Sequence, residues 1–177
     1  LEQIGIAARH PPEAAKLLSQ LHDGVCKALG TSQSEPTSSD GLDCAVLAFA
    51  DNMSMLDFAA ASMDLYIVPE KGPTTRLRGS RVSLGYGKND LQIPDDQQRH
   101  EIGTNSFVIA SDGMATQIGD QTKRAFGNRR FLESLDQVEG NDPAKLVRQL
   151  ARDLNRWQGD QERRDDVTVL AFKPASQ

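Results

Sequence analysis

Two acidic motifs stand where apolar strands are predicted to end and to begin. Ser111-Asp112-Gly113 directly follows the apolar residues 107–110, and Asp165-Asp166 directly precedes the apolar residues 167–172. Adjacent aspartates repel each other, and a bound cation is one means of relieving that repulsion. Carboxylate oxygens and water are the ligands that Mg²⁺ and Mn²⁺ prefer. The residue types therefore point to a divalent-metal site.

Each motif also has a plainer interpretation. Asp112-Gly113 is a common turn dipeptide, and Asp165 can simply cap or solvate the end of a strand. A rigid strand end would fix Asp112, and Gly113 would let backbone or a ligand approach closely. The order of the motifs carries more information than either motif alone: a strand, SDG, two amphipathic helices, DDVT and a final strand.

Length and composition limit the class of protein. The 177 residues suit one domain, and 38% hydrophobic residues can supply a core. The net charge of −5 argues against a nucleic-acid or membrane-surface binder, because such proteins need an excess of Lys and Arg. No apolar run approaches the roughly 20 residues of a membrane span, and the first residues lack the apolar core of a signal peptide.

The first half of the chain alternates a helical pattern with strand patterns. Apolar residues at helical spacing predict a helix that begins at Pro11 and Pro12 and stops at Gly30. Strands are predicted over residues 42–50, 55–62 and 65–68, the first two joined by a hairpin turn. Residues 69–96, rich in Gly and Pro, should hold at most short strands.

The second half contains two predicted helices and a last strand. One helix covers residues 128–138, and the other begins at Asp142, a cap residue followed by proline. Residues 166–172 are β-branched and apolar, which predicts a central strand. Helices mixed with hairpin-connected strands indicate an α+β fold in which helices pack on antiparallel sheets.

Two basic segments allow alternative interpretations. Residues 123–130 contain four cations and form either a solvated turn and helix entry or a docking face for an acidic partner or its phosphate. Arg163 and Arg164 stand directly before Asp165. We expect them to pair with the aspartates in the absence of metal rather than to contact substrate.

The ordered motifs FVIASDGM, AFGNRRFLESL and DDVTVLAF resemble the C-terminal half of type 2C (PPM) metal-dependent serine/threonine phosphatases. Within that family the chain is most similar to the bacterial SpoIIE/RsbU branch. The segments DGLD and GDQTKRAFGNRRF resemble its SiaA-like subtype. The resemblance spans nearly the whole chain and implies an antiparallel β-sandwich flanked by helices. Residues 1–177 are accordingly expected to form one SpoIIE-type phosphatase domain that lacks its N-terminal metal-ligand motifs.

The resemblance also assigns roles to individual residues. Asp112 and Asp165 match the metal-binding, catalytic aspartates of the SDG and DDVT motifs. Gly113 matches the turn glycine at the metal site, and Asp166 occupies a neighbouring position with a less defined role. The family binds two Mn²⁺ or Mg²⁺ ions, which activate a water for attack on phosphorus.

Further metal ligands of the family lie in N-terminal motifs that have no counterpart here, so the N-terminal strands are expected to be absent from this chain. Two or three carboxylates cannot neutralise two divalent cations. The 177-residue chain is therefore expected to bind metal poorly or to be inactive. Two tight manganese sites in a calorimetric titration would contradict this expectation.

The resemblance implies a substrate class and a setting. The substrate would be phosphoserine or phosphothreonine on a small regulator of the anti-sigma-antagonist type, in a bacterial partner-switching pathway. The resemblance also implies a cytoplasmic location, which is compatible with the cytoplasmic domain of an inner-membrane sensor protein. It allows a sensor or membrane-anchored region in the parent protein, and a homodimer. The alternative is a degenerate phosphatase fold that binds such a regulator without catalysis. The retained Asp112 and Asp165 favour the enzyme.

Overall fold

The computed structural model describes residues 13–31, 41–85 and 98–175. These residues form an α+β fold in which every strand pair is antiparallel, which confirms the predicted class. In chain order the elements are α1 (Ala14–Leu29), β1 (Cys44–Phe49), β2 (Met55–Ala61), β3 (Asp64–Val68), β4 (Thr75–Arg78), β5 (Gln98–Glu101), β6 (Ser106–Ala110), α2 (Asp112–Thr116), α3 (Gly127–Asp136), α4 (Pro143–Gln158) and β7 (Val169–Phe172).

The described residues divide into two compact units, the first of which comprises residues 13–31, 41–62, 79–85, 98–103 and 175. Its sheet has the strand order β1-β2-β5, and α1 packs on β1 and β2. Residues four apart on α1 form its buried face, as expected for a helix that covers a sheet. They are Ala14, Leu18, His22 and Cys26.

Two local predictions in this unit are confirmed. Residues 51–54 form the hairpin turn between β1 and β2, and the Ala50 N–H donates to the Met55 carbonyl at 3.0 Å. Gly30 ends α1 with a left-handed φ of 70°, a conformation that glycine adopts without steric cost. The prolines expected at the start of the helix, Pro11 and Pro12, lie outside the described residues.

The second unit comprises residues 63–78 and 104–174 and contains both acidic motifs. Its sheet has the order β4-β3-β6-β7, and α4 packs on β6 and β7 beside α3. As predicted, Asp142 caps α4 and accepts a hydrogen bond from the Lys145 N–H at 2.8 Å, with Pro143 at the first helical position. The buried core consists of Tyr66, Val68, Val108, Met114, Phe126, Phe131, Leu135, Leu146, Leu150 and Leu154.

The prediction that residues 166–172 form a central strand is wrong. β7 is shorter, beginning at Val169, and it lies at the edge of the described sheet, where it pairs with β6. Leu170 on this strand is 56% exposed. The β-branched, apolar composition suits any partly buried strand surface and does not distinguish an edge from a centre.

Two elements were not predicted. β5 has the polar sequence QRHE, which gives no apolar alternation, and it forms by pairing with β2. α2 begins at Asp112-Gly113, which the sequence favours as a turn. No helix among the described residues has the length and apolarity needed to cross a bilayer.

Candidate functional site

Asp112 follows a buried strand, as the sequence predicts. Residues Ser106 to Ile109 of β6 are buried, and Ser111 forms the extended N-cap from which α2 starts. Asp112 is the first residue of that helix, and its side chain is exposed to solvent, while Gly113 behind it is buried. The strand and the short helix thus hold a solvent-facing carboxylate at a fixed end of the sheet.

Asp165 and Asp166 lie in the loop between α4 and β7, and both are exposed. One oxygen of Asp165, Oδ1, accepts a hydrogen bond from the Asp166 N–H at 2.7 Å. This bond fixes the direction of the Asp165 side chain relative to its own backbone. A carboxylate accepts at both oxygens, so Asp165 retains capacity to bind a cation.

Ser111 joins the two motifs, which are 55 residues apart in sequence. Its hydroxyl donates to the Asp166 carbonyl at 3.1 Å and accepts from the Thr168 N–H at 2.9 Å. Its own N–H donates to the Thr168 carbonyl at 2.9 Å. We call this set of three hydrogen bonds the Ser111 clasp. The sequence does not indicate this role for Ser111, although a hydroxyl beside the aspartate is a signal for it.

Gly113 brings the motifs into direct contact. A Cβ atom at this position would lie 2.3 Å from the Asp166 carbonyl oxygen and 3.3 Å from the Asp165 Cβ. Real Cβ atoms do not approach other atoms as closely as 2.3 Å, so the loop can reach this position only because residue 113 is glycine. The structure therefore brings Asp112, Gly113, Asp165 and Asp166 to one place, and their roles in metal binding and catalysis stay predictions.

The donor chemistry of this place fits a hard divalent cation. Its exposed carboxylates are oxygen ligands of the kind that Mg²⁺ and Mn²⁺ take, and water can complete the coordination. Among residues 13–31, 41–85 and 98–175, however, no group of three or more His, Cys, Asp or Glu side chains is arranged to hold a metal ion. The described residues thus offer part of a ligand set.

The expectation that Arg163 or Arg164 pairs with the aspartates is wrong for the described residues. The Arg163 guanidinium donates to the Asn155 side-chain oxygen at 3.4 Å, back on α4. The backbone N–H of Arg164 donates to the Gln117 side chain at 3.3 Å. Contacts with α4 and with Gln117 thus direct this part of the loop, and neither arginine forms an ion pair with Asp165 or Asp166 among the described residues.

The basic segment 123–130 uses most of its charges internally. Lys123 forms an ion pair with Asp120 at 3.2 Å, and Arg129 lies 3.5 Å from Glu133 one turn along α3. The Arg130 guanidinium lies 3.8 Å from the centre of the Trp157 ring and donates to two backbone carbonyls. These contacts favour a structural turn and helix entry over a docking face.

A separate cavity of about 440 Å³ lies in the same unit, between α3, α4 and the loop after α2. Arg130, Glu133, Asp153, Arg156 and Trp157 contribute to its lining, and none of the four predicted site residues does. The charges around it are mixed, so it shows no preference for an anion or a cation. The residues for which the sequence predicts metal chemistry therefore lie outside the lining of this cavity.

The sequence profile of the family described as Stage II sporulation protein E (SpoIIE) matches residues 4–174. The chain belongs to the SpoIIE family. This match covers nearly all of the chain, including the SDG and DDVT motifs that the Ser111 clasp joins. No curated protein sequence matches the chain significantly.

Solved structures show the fold of the family. The SiaA-PP2C domain of Pseudomonas aeruginosa matches with a TM-score of 0.70 and 21% identity, over 92% of this chain and 65% of that chain. The phosphatase domain of SpoIIE from Bacillus subtilis matches with a TM-score of 0.54 and 16% identity, over 96% of this chain and 77% of that chain. The SpoIIE-family chain thus has a PP2C-like fold and spans 65% of the SiaA domain.

Proposed function

We propose that this SpoIIE-family chain is part of a metal-dependent protein serine/threonine phosphatase. The observation that carries the proposal is the Ser111 clasp, since it fastens Asp112 beside Asp165 and Asp166 although the motifs are far apart in sequence. Family membership and the PP2C-like fold support the same reaction class.

The proposed chemistry is hydrolysis of a phosphate monoester. Mn²⁺ or Mg²⁺, with two ions expected in the complete domain, would make hydroxide available near neutral pH and would offset charge on the phosphoryl oxygens. Asp112 and Asp165 would hold the cations through their exposed carboxylates. Gly113 lets the loop approach, and the backbone carbonyl of Asp166 in that loop accepts the hydrogen bond from the Ser111 hydroxyl.

The proposed substrate is a small regulatory protein phosphorylated on serine or threonine, of the anti-sigma-antagonist type. The pathway would be bacterial partner switching in the cytoplasm. The parent protein would carry a sensor or membrane-anchored region and would form a homodimer. Membership of the SpoIIE family supports the reaction class on which this proposal rests, because the SpoIIE relative of known structure is a phosphatase domain.

The test measures Mn²⁺-dependent phosphate release from a phosphoserine peptide by the full-length protein. We expect Asp112→Ala and Asp165→Ala each to abolish release while circular dichroism and thermal unfolding stay near wild type. Asp160→Ala is the matched control, because Asp160 is an exposed carboxylate in the same loop that stands five residues before Asp165.

Three outcomes decide between the proposals. Loss of release in the two site variants but not in Asp160→Ala supports the phosphatase. Undiminished release in either site variant contradicts the assignment of that residue. A wild-type protein that binds a phosphorylated regulator but releases no phosphate with either metal would favour the non-catalytic binding module instead.

A further inference from the structure

Gln117 is a fully buried polar side chain directly after α2. Its exposed fraction is 0%, although its amide carries one acceptor and two donor hydrogens that must find partners once buried. Gln117 belongs to neither the SDG nor the DDVT motif, and it has no part in the proposed metal chemistry. Its partners therefore reveal what the amide does.

The Gln117 amide binds the backbone of the loop that leads to the aspartates. Its Nε2 donates to the carbonyl of Glu162 at 3.1 Å and to that of Ile118 at 3.0 Å. Its Oε1 accepts from the N–H of Arg164 at 3.3 Å. One side chain thus holds two backbone groups of the three residues that precede Asp165.

The loop is consequently held on both sides of Asp165. Gln117, at the end of α2, holds the residues before the pair, and the Ser111 clasp, at the start of α2, holds Asp166 and Thr168. A loop fixed at both sides by one short helix moves with that helix, and Asp112 is the helix's own first residue. The backbone of Asp165 is therefore tied to that of Asp112.

We propose that Gln117 is a positioning residue that sets the location of Asp165 and Asp166 relative to Asp112. The proposal rests on the proposed function in so far as the aspartates bind metal. Residues that hold a metal ligand in place without touching the metal typically change its affinity by about 10–100-fold when they are replaced. Gln117 should act at the lower end, because it holds the loop and not the carboxylate itself.

The test replaces Gln117 with methionine in the full-length protein, which keeps the size and flexibility of the side chain and removes its hydrogen bonds. We expect the Mn²⁺ concentration at half-saturation of binding to rise about tenfold. Backbone hydrogen exchange should also become faster in a peptide covering residues 161–168. Gln117→Glu keeps the acceptor for the Arg164 N–H but loses both donated bonds. It should show the same two changes and serves if the methionine variant does not fold.

Asn141→Leu is the matched control. Asn141 is also buried, and its amide donates to the carbonyls of Val68 and Thr104 at 3.1 and 2.7 Å, away from the acidic motifs. It should lower stability without altering Mn²⁺ half-saturation or exchange over residues 161–168. A residue that contributes only to stability would behave in the same way at position 117.

The readouts separate this inference from the proposed function. Unchanged exchange over residues 161–168 in Gln117→Met overturns the positioning role, and so does an equal shift in Asn141→Leu. Wild-type protein that neither binds Mn²⁺ nor releases phosphate contradicts the proposed function, and the exchange experiment then still decides whether Gln117 positions the loop. Normal Mn²⁺ binding by Gln117→Met, with an active wild type, overturns this inference alone.

Discussion

Gly113 is the point at which α2 meets the loop that carries Asp165 and Asp166, and replacing it by alanine tests that contact. A Cβ atom there would lie 2.3 Å from the Asp166 carbonyl oxygen and 3.1 Å from its carbonyl carbon. Non-bonded carbon atoms pack at about 3.5–4.0 Å, so the loop must retreat by about 1 Å. The obstructing atoms belong to backbone and cannot rotate away.

The free-energy change has two opposing parts. Inserting a methyl group into a packed contact costs about 1–3 kcal/mol. Alanine gains at most about 1 kcal/mol over glycine within a helix, and Gly113 is in α2 without a left-handed φ. We therefore expect Gly113→Ala to lower the free energy of unfolding by about 1–2 kcal/mol. A 1 Å displacement of the aspartates should also lower kcat/KM by about 100-fold.

Gly24→Ala is the matched control, since Gly24 lies on an exposed part of α1 with no atom within 4 Å of a built Cβ. Here only the helix preference acts, and stability should rise by about 0.5–1 kcal/mol. Urea denaturation and Mn²⁺-dependent phosphate release by the full-length protein measure both effects. If Gly113→Ala is stabilised as Gly24→Ala is and keeps wild-type activity, the contact with the loop does not restrict residue 113 to glycine.

Three further changes test other parts of the second unit. Ser111→Ala should lower the free energy of unfolding, measured by urea denaturation, by about 1 kcal/mol and should reduce phosphate release. Ser111→Thr retains the hydroxyl and should keep both near the wild-type values. Asp142→Ala removes the cap of α4 and should lower the melting temperature, at a cost of about 1 kcal/mol, with unchanged Mn²⁺ binding. Burial and the Asp64 carboxylate raise the pKa of Tyr66 to about 12. The folded state therefore favours the protonated phenol, and this contribution to stability is present below about pH 10 and is lost as the pH rises through 12. Ultraviolet titration should show a lower pKa for Tyr66 in Asp64→Asn.

Local signals in the sequence predicted the elements that depend on local chemistry. Asp142-Pro143 predicted the start of α4, and residues 51–54 predicted the hairpin, because capping and turn preferences act within a few residues. β5 was missed because its polar residues become a strand only through pairing with β2. Edge and central strands share one composition, so the position of β7 could not be read from it.

The four residues proposed from the sequence come together in the structure, but the contacts that bring them together could not be predicted from the sequence. The motif order and the family resemblance named Asp112, Gly113, Asp165 and Asp166, and the structure brings all four together. The direction of Arg163 was predicted wrongly, since charge alone suggests that it pairs with a neighbouring aspartate. Its contact with α4 follows from a backbone path that tertiary hydrogen bonds determine.

The SDG motif therefore combines one residue with a proposed role in metal binding, Asp112, and two residues that hold the motifs together, Ser111 and Gly113. Asp112 presents a carboxylate to solvent, whereas Ser111 and Gly113 face the opposite motif and bind or admit its backbone. A larger residue at 113 would keep the loop away, and a residue without a hydroxyl at 111 would leave the Asp166 carbonyl and the Thr168 N–H without that partner. Because both contacts are made to backbone atoms, they constrain residues 111 and 113 more strictly than they constrain the side chains of the facing loop. A phosphatase that lost its chemistry through Asp112 alone would still hold the two motifs together, so fold retention and activity are separable at this site.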